Sequence, residues 1–271
     1  MHRVSNTVLA APVIALRGVS KTYHFGNQST EAIDGIDLTI ESGAFVSIIG
    51  PSGSGKSTLL QIVAGLLEPS GGEILFHGRP VTGPPPGMIY VFQQYEKSIL
   101  PWRTVAHNVA LGIEDRPDMS RAECRDRCTR YLELVGLAGV ANRYPRQLSG
   151  GMQQRVAIAR ALVCEPDVLL MDEPFSAVDA LTRAALQDLL LEVRERLGIT
   201  VLFVTHDVDE AVYLSTHVVA LTRAPARIDN SIAIDLPYPR DQITTRESEP
   251  FIAYRHRLLS RVLAQQSSGA A

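Results

Sequence analysis

Short apolar runs broken by glycine and proline organise the first part of the chain. Residues 13–20, 32–40 and 44–49 carry β-type runs separated by turn residues, and the third, Phe45-Val-Ser-Ile-Ile49, ends abruptly in a glycine-rich loop. Leu59, Leu60, Ile62, Val63, Leu66 and Leu67 then recur at helical spacing until Pro69-Ser-Gly-Gly72 stops them. Glu73–Phe76 reads as a strand, 78–87 as a loop and Met88–Phe92 as a strand again. From Trp102 to Ala161 the texture turns helical. Ser120 with Glu123 matches a capping box, in which each side chain satisfies an orphan amide of the first helical turn, and the helix it opens ends near Gly136. A second helix follows Gly151. The strands Val168–Met171 and Thr200–Val204 flank a long helix around Thr182–Leu197; Val218–Leu221 and Ser231–Leu236 read as late strands around a turn, 250–264 as a last helix and Gln265–Ala271 as a frayed tail. This alternation predicts an α/β layer fold with a mostly parallel sheet, into which a helical subdomain near 95–155 is inserted.

Composition narrows the reading. At 271 residues, 45% hydrophobic and 20% charged, the chain buries one large core or two modest ones, and disorder is excluded as its main state. A net charge of −3 exerts no general pull toward nucleic acid. Arg121–Arg130 is interrupted by Glu123 and Asp126, so it reads as a solvated helix face. No stretch nears the roughly 20 consecutive apolar residues that cross a bilayer. Arg3 followed by Val8–Leu16 imitates a short signal peptide, but Pro12 interrupts it and no cleavage pattern follows, so a first β-strand in a cytosolic chain is the expectation. Cys124, Cys128 and Cys164 make a poor disulfide framework; the first two share a helical stripe with Tyr131, Leu132 and Val135, which favours core packing over a metal pair.

Three segments carry chemistry. Gly50, Pro51, Ser52, Gly53, Ser54, Gly55, Lys56 and Ser57 fit G-x-x-x-x-G-K-[ST], followed by Thr58, between a strand and a helix. Glycines let the backbone wrap phosphates with its amides, Lys56 reaches the β/γ oxygens and the Ser57 hydroxyl helps ligate Mg²⁺. One of only three lysines in the chain stands where this loop requires it. Asp172 and Glu173 close the buried strand Val168–Met171, at the end where ligands bind in open α/β sheets. Asp172 would hold Mg²⁺, and Glu173 would orient or deprotonate the attacking water. Ser149, Gly150 and Gly151 open a helix, a second element whose free amides and positive dipole end suit an anion. Two phosphate cradles beside one nucleotide core imply a two-fold dimer, each nucleotide held by one subunit's lysine loop and the other's serine-glycine helix.

With Leu148–Gln153, Asp172-Glu173-Pro174, Ser176–Asp179 and Thr205-His206-Asp207 in order behind the lysine loop, about residues 12–245 resemble the ATP-binding cassette (ABC) ATPase family. The resemblance implies a P-loop NTPase, with a RecA-like core at about 12–94 and 156–245, an antiparallel β portion, a helical subdomain at about 95–155, and a C-terminal helix and tail at 246–271. It further implies that Tyr23 stacks on adenine, that Gln93 joins Ser57 and Asp172 at Mg²⁺ while sensing the membrane partner, and that His206 contacts the γ-phosphate. Ser149, Gly150, Gly151, Gln153 and Asp179 would serve the partner's nucleotide. Taken singly, Tyr23 reads as a strand-surface aromatic and His206 as a helix-cap residue; the joint spacing supports the functional reading.

Leu100-Pro-Trp-Arg-Thr-Val105, Asp172–Phe175 and Asp179–Arg183 are similar to importer ATPases of the nitrate/sulfonate/taurine kind, whereas Tyr95–Ser98, Ser176 and Val178 depart from that branch. That likeness implies an ATP-hydrolysing homodimer on the cytoplasmic face of the membrane, joined to permease subunits and served indirectly by an extracytoplasmic solute-binding protein, with no nucleic-acid partner. A soluble ABC ATPase of cofactor assembly or scaffolding stays open beside it. DNA-repair and translation ABC proteins usually carry two cassettes or a long coiled coil, neither of which this sequence contains.

Overall fold

The computed structural model describes residues 12–94 and 98–267. Tyr95, Glu96 and Lys97, the signal-like residues before Pro12, and the tail after Ser267 therefore lie outside the described residues. The α/β architecture is as expected: a mostly parallel sheet joined by an antiparallel one and layered with helices.

In the antiparallel sheet, β1 (Pro12–Phe25) pairs with β2 (Gln28–Glu41) on one side and with β4 (Gly71–Phe76) on the other. Both hairpin strands run longer than their apolar patterns. Thr22–Phe25 and Gln28–Glu31 continue the ribbon with largely exposed side chains, so neither face imposes the alternation by which strands are read. The expected loop at 78–87 opens with a further short strand, β5 (Arg79–Pro80), paired back onto β4. The turn between them places His77 at φ 49° and Gly78 at φ 73°. Two consecutive positive φ values are what a tight hairpin turn matching strand twist demands. Proline at the strand hid it, although an edge position tolerates proline.

The second sheet runs β10-β9-β3-β8-β7-β6, where β3 is Phe45–Ile49, β6 Met88–Val91, β7 Val168–Asp172, β8 Thr200–Val204, β9 His217–Leu221 and β10 Ile228–Ala233. All neighbours are parallel except the edge pair β9–β10. The last strand starts earlier than expected because its pairing with β9 begins at Ile228↔Leu221, which shortens the turn. Strands β3, β7 and β8 are buried at every position, and period two sends alternate side chains to opposite layers. Val46, Ile48, Leu170 and Leu202 join α1 (Lys56–Val63) and the antiparallel sheet. Phe45, Met171, Val201 and Phe203 join the helices of the opposite layer.

That layer holds α2 (Val105–Ala110), α3 (Arg121–Leu134), α4 (Gly150–Leu162), α5 (Ala180–Leu197) and α6 (Val208–Leu214), followed by α7 (Thr244–Glu247) and α8 (Glu249–Ser267). The capping box is present: the Glu123 amide donates to Ser120 Oγ at 3.2 Å and the Ser120 amide to Glu123 Oε2 at 2.8 Å. Cys128 is buried, with burial pushing its thiol up to about 12, and Cys124 packs against the same core. Helix α6 lacks an amphipathic signature because six of its seven residues are buried.

The C-terminal end of α6 is held by Arg240, itself only 8% exposed. Its Nη1 donates to the Tyr213 carbonyl at 2.6 Å and its Nη2 to that of Ser215 at 2.9 Å, beneath the Tyr238 ring at 4.3 Å. A cation at a helix C-terminus complements both the dipole and the orphan carbonyls. Arg240→Met strands those carbonyls in the core, and an unfolding midpoint lowered by an amount equivalent to about 3 kcal/mol is expected from the unpaired groups. An unshifted denaturant curve would dismiss this role.

Candidate active site

Because β3, β8 and β7 are parallel neighbours, with Ile48 opposite Val204 and Val204 opposite Asp172, their C-terminal ends deliver three segments to one edge. These are the lysine loop, Thr205–Asp207, and Asp172–Glu173. The edge is where open α/β sheets bind ligands.

The loop needs its glycines. Gly53 and Gly55 sit at φ 75° and 85°, and a Cβ on Gly55 would lie 3.0 Å from the Ala32 carbonyl. That carbonyl accepts from the Ala226 amide where the two sheets are bridged, so it is not free to yield. Lys56 is buried, and its Nζ donates to the Gly50 and Pro51 carbonyls at 3.0 and 2.9 Å. Desolvation depresses the ammonium's pKa, opposed by the charges of Glu173 and Asp172. Ser54 Oγ is buried in the same loop without a hydrogen-bond partner. Tyr23 stands beside this helix start, its hydroxyl 3.4 Å from Thr58 Oγ1 and its ring stacked on Phe25.

Across the edge, Ser57 Oγ donates to Asp172 Oδ1 at 2.9 Å and the Tyr90 hydroxyl to Asp172 Oδ2 at 3.0 Å. Burial raises the Asp172 pKa, with both hydrogen bonds pulling the other way. Glu173 adopts φ 41°, a left-handed conformation costing about 1–3 kcal/mol for a residue with a side chain, and its amide is fixed to the Val204 carbonyl at 2.9 Å. Its Oε2 lies 3.1 Å from His206 Nδ1 and accepts from Gln93 Nε2 at 3.4 Å. Gln93, Glu173 and His206 therefore converge from three separate segments, beside Ser57 and Asp172. The hydroxyl and carboxylate at the loop mouth are hard oxygen donors, and this sparse set fits Mg²⁺, which keeps most of its ligands from water and phosphate. Among the described residues there is no cluster of three His, Cys, Asp or Glu side chains suited to a metal, so Mg²⁺ would depend on nucleotide oxygens.

The second phosphate-seeking element is built on α4 and α5. Ser149 caps α4 by accepting from the Met152 amide, and Gln153 Nε2 donates to the Pro145 and Leu148 carbonyls. A Cβ on Gly151 would sit 2.4 Å from Thr182 Cγ2, while Thr182 donates through its amide and hydroxyl to Asp179, the cap of α5. Ser149–Gln153 and Asp179 thus form one corner. Among the described residues no hydrogen bond or ion pair joins that corner to 50–58.

The ABC transporter family model matches residues 33–176, more than half of the chain. The chain belongs to the ABC transporter family. It is an ABC ATPase of importer type in its likenesses: 46% identical over 237 residues to the nitrate import ATP-binding protein NrtC of Synechococcus elongatus, covering 87% of this chain and 36% of that longer one. It is 42% identical to the aliphatic sulfonates import ATP-binding protein SsuB of Bacillus cereus, covering 92% of this chain and 95% of that one. Among solved structures it resembles the ATP-binding cassette MJ0796, a dimer in a post-hydrolysis state bound to ADP and Pi, with TM-score 0.72, 36% identity and coverage of 82% and 98%.

Two features of this ABC ATPase escaped the sequence. Tyr90 reaches Asp172 only because β6 and β7 are sheet neighbours, which no motif announces. Glu210, nearly fully buried, accepts from Thr205 Oγ1 at 2.5 Å and Gln187 Nε2 at 3.0 Å, fixing the turn that presents His206. Burial raises its pKa. One of its partners, Thr205, is local in the sequence, but the other, Gln187, comes from α5.

Proposed function

We propose that this ABC ATPase powers an importer, closing as a head-to-tail homodimer around two nucleotides and driving uptake of small anions of the nitrate, sulfonate or taurine kind through separate permease subunits. The observation that carries the dimer is that one chain holds two phosphate-seeking corners, which among the described residues share no hydrogen bond or ion pair, and the likeness to the dimeric cassette MJ0796 supports it. A second copy brings its Ser149–Gln153 and Asp179 to the lysine loop of the first. The relatives named for nitrate and sulfonate import support the solute class.

In this reading the amides of Gly50–Thr58 and the Lys56 ammonium bind the β- and γ-phosphates, and Tyr23 stacks on adenine. Ser57, Gln93 and Asp172 hold Mg²⁺, which neutralises phosphate charge when bound. Glu173 orients and deprotonates the attacking water, and His206, within reach of Glu173, contacts the γ-phosphate. The RecA-like core spans 12–94 and 156–245, and the helical subdomain 95–155 carries the serine-glycine helix. Permease helices dock beside Gln93–Trp102, where Phe92 and Trp102 are 51% and 72% exposed, large apolar surface of the kind that marks interaction sites. The chain then sits peripherally on the cytoplasmic face, with the solute-binding protein beyond the membrane. Among the described residues no helix is long and apolar enough to cross it.

The test is to isolate the chain in mild detergent from its own cells and identify its companions by mass spectrometry. A polytopic membrane protein in about equal amount supports the importer, and its associated binding protein can then be assayed with nitrate, sulfonates and taurine. A soluble companion alone favours the cofactor-assembly reading.

A further inference from the structure

Around Asp172 the structure sets two hydrogen bonds, the second from a residue that no motif contains. Ser57 donates to one carboxylate oxygen at 2.9 Å and Tyr90 to the other at 3.0 Å. Ser57 stands at the start of α1 and Tyr90 on β6, so the two donors reach Asp172 from different elements. The phenol proton is the one that Oδ2 accepts. The ring cannot swing easily: it packs against Phe92, with centroids 4.6 Å apart, and its backbone is paired in register with Leu170 of the neighbouring strand.

We infer that Tyr90 is a positioning residue, fixing the Asp172 carboxylate in the orientation that binds the divalent cation of the nucleotide. The inference rests on the proposed role of Asp172 at Mg²⁺. A carboxylate has one soft torsion at its end, and two donors on opposite oxygens remove that freedom. Phenylalanine at position 90 preserves ring packing but leaves Oδ2 without its donor in a desolvated site, so the carboxylate turns to find another partner. Groups that orient metal ligands in this way typically account for 10- to 100-fold in metal affinity. Among the described residues no hydrogen bond or ring contact joins Tyr90 to 50–58 or to Glu173, so its effect belongs to cation binding and not to nucleotide binding without the cation.

The experiment uses the full chain loaded with ADP, where no turnover occurs, and follows Mn²⁺ binding by electron paramagnetic resonance. Tyr90→Phe is expected to weaken Mn²⁺ about tenfold, while ADP affinity in EDTA stays within about twofold of the parent. Asp172→Asn serves as the reference for the underlying reading. If Asp172→Asn weakens Mn²⁺ but Tyr90→Phe leaves it unchanged or tighter, the Tyr90 inference is overturned and the Asp172 role stands. If Asp172→Asn has no effect on Mn²⁺, both fall together. Should Tyr90→Phe lose ADP in EDTA, Tyr90→His, which keeps a ring bearing a donor, decides: Mn²⁺ affinity held within about threefold of the parent supports the positioning role, and an affinity weakened about tenfold overturns it.

Discussion

Replacing Glu173 with Gln is expected to lower the rate of ATP hydrolysis by about a hundredfold or more while ATP still binds. The backbone at this residue is held in a left-handed conformation by the bond from its amide to the Val204 carbonyl, so the side chain is aimed by β8 and not by its own torsional preference. Gln is nearly isosteric and keeps an oxygen for Gln93 and a polar end for His206, which preserves the local packing. What it removes is the basic carboxylate that accepts a proton from water. Single-turnover hydrolysis reads the chemical step directly, and size-exclusion chromatography with ATP reads the dimer. Slow hydrolysis with an accumulated ATP-bound dimer is the expected pair of results; near-normal turnover would remove Glu173 from the mechanism.

The candidate site was most legible where chemistry dictates consecutive residues. A phosphate cradle needs successive amides and glycines at fixed offsets, so Gly50–Thr58 declares itself, and Gly53 and Gly55 adopt the positive φ that the pattern requires. The acidic strand end was readable for a similar reason, since four apolar residues followed by two carboxylates have few other uses at the end of a buried strand. Tyr90 and Glu210 were not readable as functional neighbours, because their partners come from another strand and another helix. Sheet order, which sets those neighbours, is a property of the whole chain. The same distinction divides the fold. Fully buried β3, β7 and β8 appear as apolar runs, whereas the polar end of the β1–β2 ribbon and the proline-bearing β5 are held by backbone pairing, to which side-chain pattern is blind.

Lys56→Met is expected to weaken ATP binding by about a hundredfold, measured with a fluorescent nucleotide in EDTA so that the cation plays no part; about 3 kcal/mol is the scale of a desolvated charge-assisted contact to phosphate. The structure also gives the sign of the effect on the unliganded fold. Desolvation lowers the pKa of this ammonium, which means that burial disfavours its charged form. Its direct partners are two neutral carbonyls of its own loop, and among the described residues no carboxylate is in hydrogen-bond contact with it. A buried cation so partnered contributes little to the empty protein, and Met retains most of the apolar stem. The unfolding midpoint without nucleotide should therefore stay level or rise, while the stabilisation that ATP confers on the parent disappears. Loss of binding with an intact fold separates a phosphate-binding lysine from a structural one, since a structural lysine would lower the midpoint of the empty protein and leave ATP affinity unchanged.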